Sequence, residues 1–170
     1  MEIERKFLIT DLGEIEKNLS KYDNKYIVQN YVYKDLFTAI RKRLIIKDGK
    51  SKYFYTIKTN KEGFSVNEIE KEITMEDYYN IKCNPNYTEI SKDRYIIPYK
   101  KYRIELDIFQ GDFKGLIFAE VEFPDEKEAF EFDKIIPEWF GIEISNYITN
   151  SDMAILGKEK IFEKIRDIIH

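Results

Sequence analysis

Charged side chains recur at every second position through much of this sequence. Glu2, Glu4 and Lys6 alternate with Ile3, Arg5 and Phe7. In an extended strand they share a face with Leu8, opposite Ile3, Phe7 and Ile9. The same spacing pairs Arg41 with Arg43, Lys92 with Arg94 and Glu120 with Glu122, and sets Glu68, Glu70 and Glu72 in line. Lys58 shares a face with Phe54 and Thr56, and Arg103, Glu105 and Asp107 share another. Closely spaced Arg and Lys residues suit anions, because a guanidinium binds them bidentately. Other chemistries lack their residues. The only histidine is the last residue, His170, and the only cysteine is Cys83. A Ser-His triad and a zinc site are therefore excluded. The seven glycines are scattered and form no phosphate loop.

The elements that must position these residues are mostly strands. The chain has 170 residues, enough for one domain with a real core. It is 43% apolar and 35% charged, hence globular, and its 13 Tyr and 12 Phe lean toward sheet. A net charge of −4 argues against nucleic acid or an anionic membrane as the main partner. A charged N-terminus and the lack of a long apolar run predict neither signal peptide nor membrane span, and the lone cysteine fits a reducing cytoplasm.

Strands are expected over 2–9, 25–34, 37–47, 52–60, 65–74, 88–97, 101–110 and 116–123. Asp48-Gly49-Lys50, Lys61-Glu62-Gly63 and Gly111-Asp112 read as turns, and Pro98 and Pro124 as strand ends. A short helix is expected over 11–20 with Asp11 as N-cap, others over 75–83 and 125–132, a turn at Pro137–Gly141, a short helix near Ser151, and an amphipathic helix over 158–169. The fold class is α+β, mainly β: an eight-stranded antiparallel closed barrel, which removes exposed edges, with helices packed outside. Its charged faces either meet water or turn inward to line a charged tunnel. Two observations favour the tunnel. Bases gather on the third, fourth and sixth strands and acids on the fifth and eighth. An outward apolar face also gives the helices something to cover.

Several of these strands together resemble one family. Glu2–Leu8 is similar to the E-x-E-x-K signature of CYTH domains, the triphosphate tunnel metalloenzymes. Arg41-Lys42-Arg43 resembles the R-x-R strand, Thr56-Ile57-Lys58 the T-[IL]-K strand, Gly63–Glu70 the G-L-S-R-x-E-x-E strand, and Lys92–Tyr95 the K-x-R-Y strand. Glu105–Phe109, Gly115–Phe123 and Pro137–Ile144 resemble the remaining segments, in family order.

The resemblance implies a barrel whose lumen binds a triphosphate and a divalent metal, Mg²⁺ or Mn²⁺. It implies that Glu2, Glu4, Glu120 and Glu122 hold metal, and that Lys6, Arg41, Arg43, Lys58, Lys92 and Arg94 hold phosphate oxygens. Glu4, Lys6 and Lys92 would take part in catalysis, Lys92 as a base. Glu68, Glu70 and Asp107 are further ligands or orienting partners; Glu72, Arg103 and Glu105 follow behind them. Val66 stands where relatives commonly carry Arg, so one phosphate contact is missing. The compact form resembles short bacterial tripolyphosphatases, with inorganic tripolyphosphate as the small-molecule substrate. A class IV adenylyl cyclase, a nucleoside, thiamine or RNA triphosphatase, and a non-catalytic polyphosphate-binding module are the alternatives. A homodimer through the outer sheet or the 158–169 tail is left open.

Overall fold

The computed structural model describes residues 2–62 and 65–170, with the side chains of 60–62 set aside. The expected turn at Gly63 and the first two residues of the Gly63–Glu70 motif lie outside the described residues. The strands are β1 (Glu2–Leu8), β2 (Asp23–Lys34), β3 (Thr38–Lys47), β4 (Lys50–Glu62), β5 (Ser65–Ile73), β6 (Ile90–Tyr99), β7 (Tyr102–Gln110) and β8 (Ile117–Glu122). They close in the order β1-β5-β4-β3-β2-β6-β7-β8, every pair antiparallel. The helices are α1 (Glu14–Asn18), α2 (Met75–Asn80), α3 (Glu126–Glu131) and α4 (Asn150–Ile169). Within α4, Gly157 at φ 79° breaks the helix, which explains why the sequence reads as a short helix followed by an amphipathic tail.

The barrel is inverted. Its outward positions on β1, β6, β7 and β8 are apolar: Ile3, Phe7, Ile97, Ile104, Leu106, Ala119 and Val121 pack under Ala129, Phe132 and Leu12. Each large side chain buried this way contributes about 1.5–3 kcal/mol. The inward positions are charged along most of the lumen but turn apolar at one end, where Leu8, Tyr31, Ile90, Phe109 and Phe118 join Met153, Ala154, Ile161 and Ile165 of α4. The C-terminal helix therefore closes that end of the tunnel. The change from charge to hydrocarbon is abrupt: Lys92 Nζ lies 5.4 Å from the centre of the Phe109 ring, and Lys6 Nζ lies 5.7 Å from that of Phe118.

Three local expectations are corrected. Pro98 does not end β6, which runs on to Tyr99 and pairs Pro98 with Arg103. The β2–β6 ladder stops at Asp23↔Ile96, so no neighbour on that side asks Pro98 for an N–H. The helix expected to reach Cys83 stops at Asn80, where Lys42 Nζ donates to the carbonyls of Tyr78 and Ile81 and so ties down the end of the helix. Asp11 is not an N-cap: Gly13 holds that place, and Asp11 accepts the Gly13 N–H within the preceding turn.

Arg5, on the outer face of β1, clamps the segment after β8. Its guanidinium donates to Glu143 at 2.9 and 2.5 Å, to Asp133 at 2.7 Å and to the Ala129 carbonyl at 2.7 Å. Arg5→Met keeps the stem but strips these acceptors of their donor. It is expected to lower unfolding free energy by about 2–4 kcal/mol, read as a shift of the urea midpoint.

Candidate functional site

Tilted strands bring residues far apart in sequence to one level of the lumen. The register sets Glu4 opposite Glu122, Lys6 opposite Glu120, Arg41 opposite Thr56, Lys58 opposite Glu68, and Arg94 opposite Asp107. The strand order then sorts the charges further than the sequence foretold. Glu2, Glu4, Glu68, Glu70, Glu105, Asp107, Glu120 and Glu122 lie on the contiguous run β7-β8-β1-β5. Arg41, Arg43, Lys58, Lys92 and Arg94 lie on the opposing run β4-β3-β2-β6, and Lys6 is a base within the acidic half.

Ion pairs tie these bases to the carboxylates, most of them across the two halves. Lys58 Nζ is 3.0 Å from Glu2, Lys6 Nζ 3.3 Å from Glu120, and Arg41 3.9 Å from Glu68. Arg94 grips Asp107 through two hydrogen bonds of 2.7 and 2.8 Å, reaches Glu105 at 2.5 Å and lies 3.9 Å from Glu120. Lys92 Nζ stands 2.7 Å from Asp107 without hydrogen-bond alignment. Among the described residues three buried lumen donors lack an aligned hydrogen-bond acceptor: Arg41 Nε, Gln29 Nε2 and, despite its ion pair with Asp107, Lys92 Nζ. Buried donors in native proteins are almost always satisfied. Donors left open around a lumen point to an anion. Of the further candidates, Glu70 accepts from the Thr56 hydroxyl at 3.1 Å, while Glu72 pairs with Phe54 and Arg103 with Pro98, away from this cluster.

The electrostatics follow from this crowding. Burial and the neighbouring Glu120 push the Glu4 carboxyl up to about 7. Glu2 is raised by burial and a hydrogen bond with Glu68, and Glu122 by burial and the charges of Glu2 and Glu105. Glu120 goes the other way: burial opposes its charge, but Lys6, Arg94 and Lys92 together hold it well below the usual range. On the basic side, burial brings Lys92 down to about 7 against the pull of Asp107, and burial with Arg41 and Arg94 brings Arg43 down to about 9.

Comparison with known proteins is decisive. No family model matches the chain. It is 31% identical over 147 residues to an inorganic triphosphatase of Acetivibrio thermocellus, covering 85% of each chain. It is 30% identical over 145 residues to an inorganic triphosphatase of Nitrosomonas europaea, covering 85% of this chain and 89% of that one. The chain belongs to the CYTH, or triphosphate tunnel, family. A crystal structure of an inorganic triphosphatase superposes with a TM-score of 0.61 at 26% identity, over 91% of this chain and 95% of the other. An adenylyl cyclase-like protein from Hippeastrum, whose structure is reported with a dominant triphosphatase activity, shares the fold at a TM-score of 0.66 and 17% identity, over 93% and 97% of the two chains.

Divalent metal is the cofactor the CYTH fold implies. Among the described residues no three carboxylates converge on one point as they stand. The donor set nonetheless fits a hard cation. Four carboxylates occupy adjacent strands, Glu4 faces Glu122 directly, and burial together with neighbouring carboxylates raises the pKa values of Glu2, Glu4 and Glu122. Like charges set directly opposite are otherwise destabilising.

Two features of this CYTH tunnel were not read from the sequence. Gln29, fully buried on β2, accepts from Arg43 Nε at 3.0 Å and Nη2 at 2.7 Å. The only signal was a lone amide on the Lys25-Ile27-Gln29-Tyr31 face, in a strand without a charged set. The second is a pair of cavities, one beside the closed end and one at the opposite rim. A cavity of about 110 Å³ near the start of α4 is lined by Glu4, Lys6, Arg41, Lys58 and also Val66, with Lys34 beside them. A cavity of about 470 Å³ at the other rim is lined by Lys25, Lys47, Lys50, Lys52 and Arg103.

The raised Glu4 value sets a pH dependence. Its folded value of about 7 lies above the ordinary 4.5, so the folded protein holds a proton that the unfolded chain has lost. The stability this contributes is complete below 4.5 and disappears as pH rises through 7. A metal ion held by Glu4 would have to displace that proton. The rise in melting temperature on adding Mn²⁺ is therefore expected to be small at pH 5.5 and several-fold larger at pH 8, measured by thermal unfolding in matched buffers.

Proposed function

We propose that this tunnel hydrolyses inorganic tripolyphosphate to pyrophosphate and phosphate with a divalent metal. The observation that carries the reading is the lumen divided by charge, with open buried donors at Arg41 and Lys92 facing a bank of carboxylates. Lys6, Arg41, Arg43, Lys58, Lys92 and Arg94 grip the phosphate oxygens. Glu2, Glu4, Glu120 and Glu122 hold Mg²⁺ or Mn²⁺. An ion held there would supply Lewis acidity at the phosphate oxygens. Water adds to a terminal phosphorus, the bridging P–O bond breaks, and its electron pair leaves on pyrophosphate. The arginines stabilise that leaving charge. Lys92, at about 7, accepts the water's proton near neutral pH. No covalent nucleophile is required.

Glu68, Glu70 and Asp107 orient the bases around the substrate. The acidic balance of −4 supports a small-molecule substrate over nucleic acid. Among the described residues no helix is long and apolar enough to cross a membrane. The free Cys83 supports a cytoplasmic setting. Residues 1–170 are read as one domain.

One observation favours a second reading, a nucleoside triphosphatase on the same tunnel. Leu36 and Phe37, 85% and 67% exposed, line the smaller cavity and offer apolar contact to a base. The test is parallel incubation with Mg²⁺ or Mn²⁺ and tripolyphosphate, ATP or thiamine triphosphate, resolving phosphate, pyrophosphate and cyclic AMP. Tripolyphosphate turning over fastest supports the proposal. Faster ATP turnover favours the second reading, cyclic AMP favours a cyclase, and no turnover favours a binding module.

A further inference from the structure

Among the lumen bases, Arg43 is held differently. Lys6, Arg41, Lys58, Lys92 and Arg94 each have a carboxylate partner at 2.5–3.9 Å. Arg43 is buried, has no ion-pair partner among the described residues, and is instead gripped by the amide oxygen of Gln29. That geometry fixes the amide. With Oε1 committed to two guanidinium donors, Nε2 is turned away from Arg43, and it is buried with no acceptor. Gln29 lies on an inward position of β2, paired with Arg43 on one side and with Ile90 on the other, two pairs along from Ile27↔Lys92. It therefore stands between the basic positions of β3 and β6, on the intervening strand.

We propose that Gln29 is a substrate-positioning residue of the tunnel: its neutral amide orients Arg43 without cancelling its charge, and its Nε2 donates to a phosphate oxygen of the bound triphosphate. This rests on the tunnel reading above. A carboxylate at position 29 would hold the guanidinium as firmly, but as an ion pair competing with the substrate. An apolar residue would leave Arg43 without an acceptor. Glutamine keeps the fork in place, retains the positive charge and adds a donor.

Two substitutions separate this role from a structural one, because their rankings cross. Gln29→Glu preserves shape and both acceptor contacts but sets a negative charge against Arg43. It should melt at or above the wild-type temperature, yet weaken metal-free binding of tripolyphosphate, measured by isothermal titration at low salt, by about tenfold or more. KM should rise in parallel, with a smaller change in kcat. Gln29→Met adds no charge; it should melt lower but lose less affinity than Gln29→Glu. Gln29→Glu binding tripolyphosphate within about twofold of wild type would overturn the proposal, since a merely structural amide tolerates that exchange. If Gln29→Glu fails to fold, an unchanged KM in Gln29→Met overturns it equally. Arg41→Ala serves as the control. Loss of binding there with Gln29→Glu unaffected rejects the Gln29 role alone. A wild-type protein that binds no tripolyphosphate rejects the tunnel reading and this inference together.

Discussion

Glu4→Gln is expected to lower tripolyphosphate turnover by about 10²–10³-fold while the fold stays intact. Glu4 lies on β1 directly opposite Glu122, and the charge of Glu120 is the strongest charged influence on it. An amide of the same shape keeps the packing but withdraws one hard anionic oxygen from the proposed metal set. The stability of the metal-free protein should move the other way. At about pH 4 the carboxyl is protonated in the folded and the unfolded wild type alike, so the two proteins should melt together. At pH 8 the wild type holds a crowded charge that the variant lacks, and Glu4→Gln should be more stable by on the order of 2 kcal/mol. Adding Mn²⁺ should then raise the wild-type melting temperature and leave the variant nearly unmoved. Thermal unfolding at the two pH values, with and without metal, checks the sign, and steady-state phosphate release checks the rate. Wild-type turnover in Glu4→Gln would remove Glu4 from the reaction.

The legible part of this molecule was what period-two alternation records. Glu2, Glu4 and Lys6 were placed on one face by spacing alone, and the barrel puts that face inward, with Ile3 and Phe7 outward under the helices. What alternation cannot record is strand order, because β2 pairs with β6 across more than fifty residues of chain. The division of the lumen into an acidic and a basic half therefore emerged only on closure. Gln29 was missed for a related reason: an uncharged side chain in an apolar strand gives no periodic signal, and its importance depends on Arg43, fourteen residues away. Pro98 misled because its effect depends on the length of the neighbouring strand, which its own segment does not encode. The closing of one end by α4 was equally hidden. The tail's amphipathicity was plain, but the apolar ring it covers (Leu8, Tyr31, Ile90, Phe109 and Phe118) is drawn from five separate strands.

The largest effect on stability is expected at Asp107. This carboxylate is fully buried, bonds Arg94 at 2.7 and 2.8 Å, and stands 2.7 Å from Lys92. Asp107→Ala strips the buried Arg94 of two hydrogen bonds and removes the carboxylate that holds Lys92 charged, and breaking a buried pair from one side costs about 3–5 kcal/mol. Asp107→Asn keeps the shape and one acceptor, and is expected to cost about half as much. The pH dependence distinguishes lost charge from lost packing. Burial opposes the Asp107 charge, but Arg94 and Lys92 outweigh it and lower its folded pKa below the ordinary 3.8. The stability it contributes is therefore present above 3.8 and lost as pH falls through the folded value. Urea titrations of wild type and Asp107→Asn should differ clearly at pH 7 and converge as the solution is acidified below that range. A gap that stays constant with pH would assign the loss to packing. A constant gap would also mean that the Lys92–Arg94 pair does not depend on Asp107's charge to remain folded before substrate arrives.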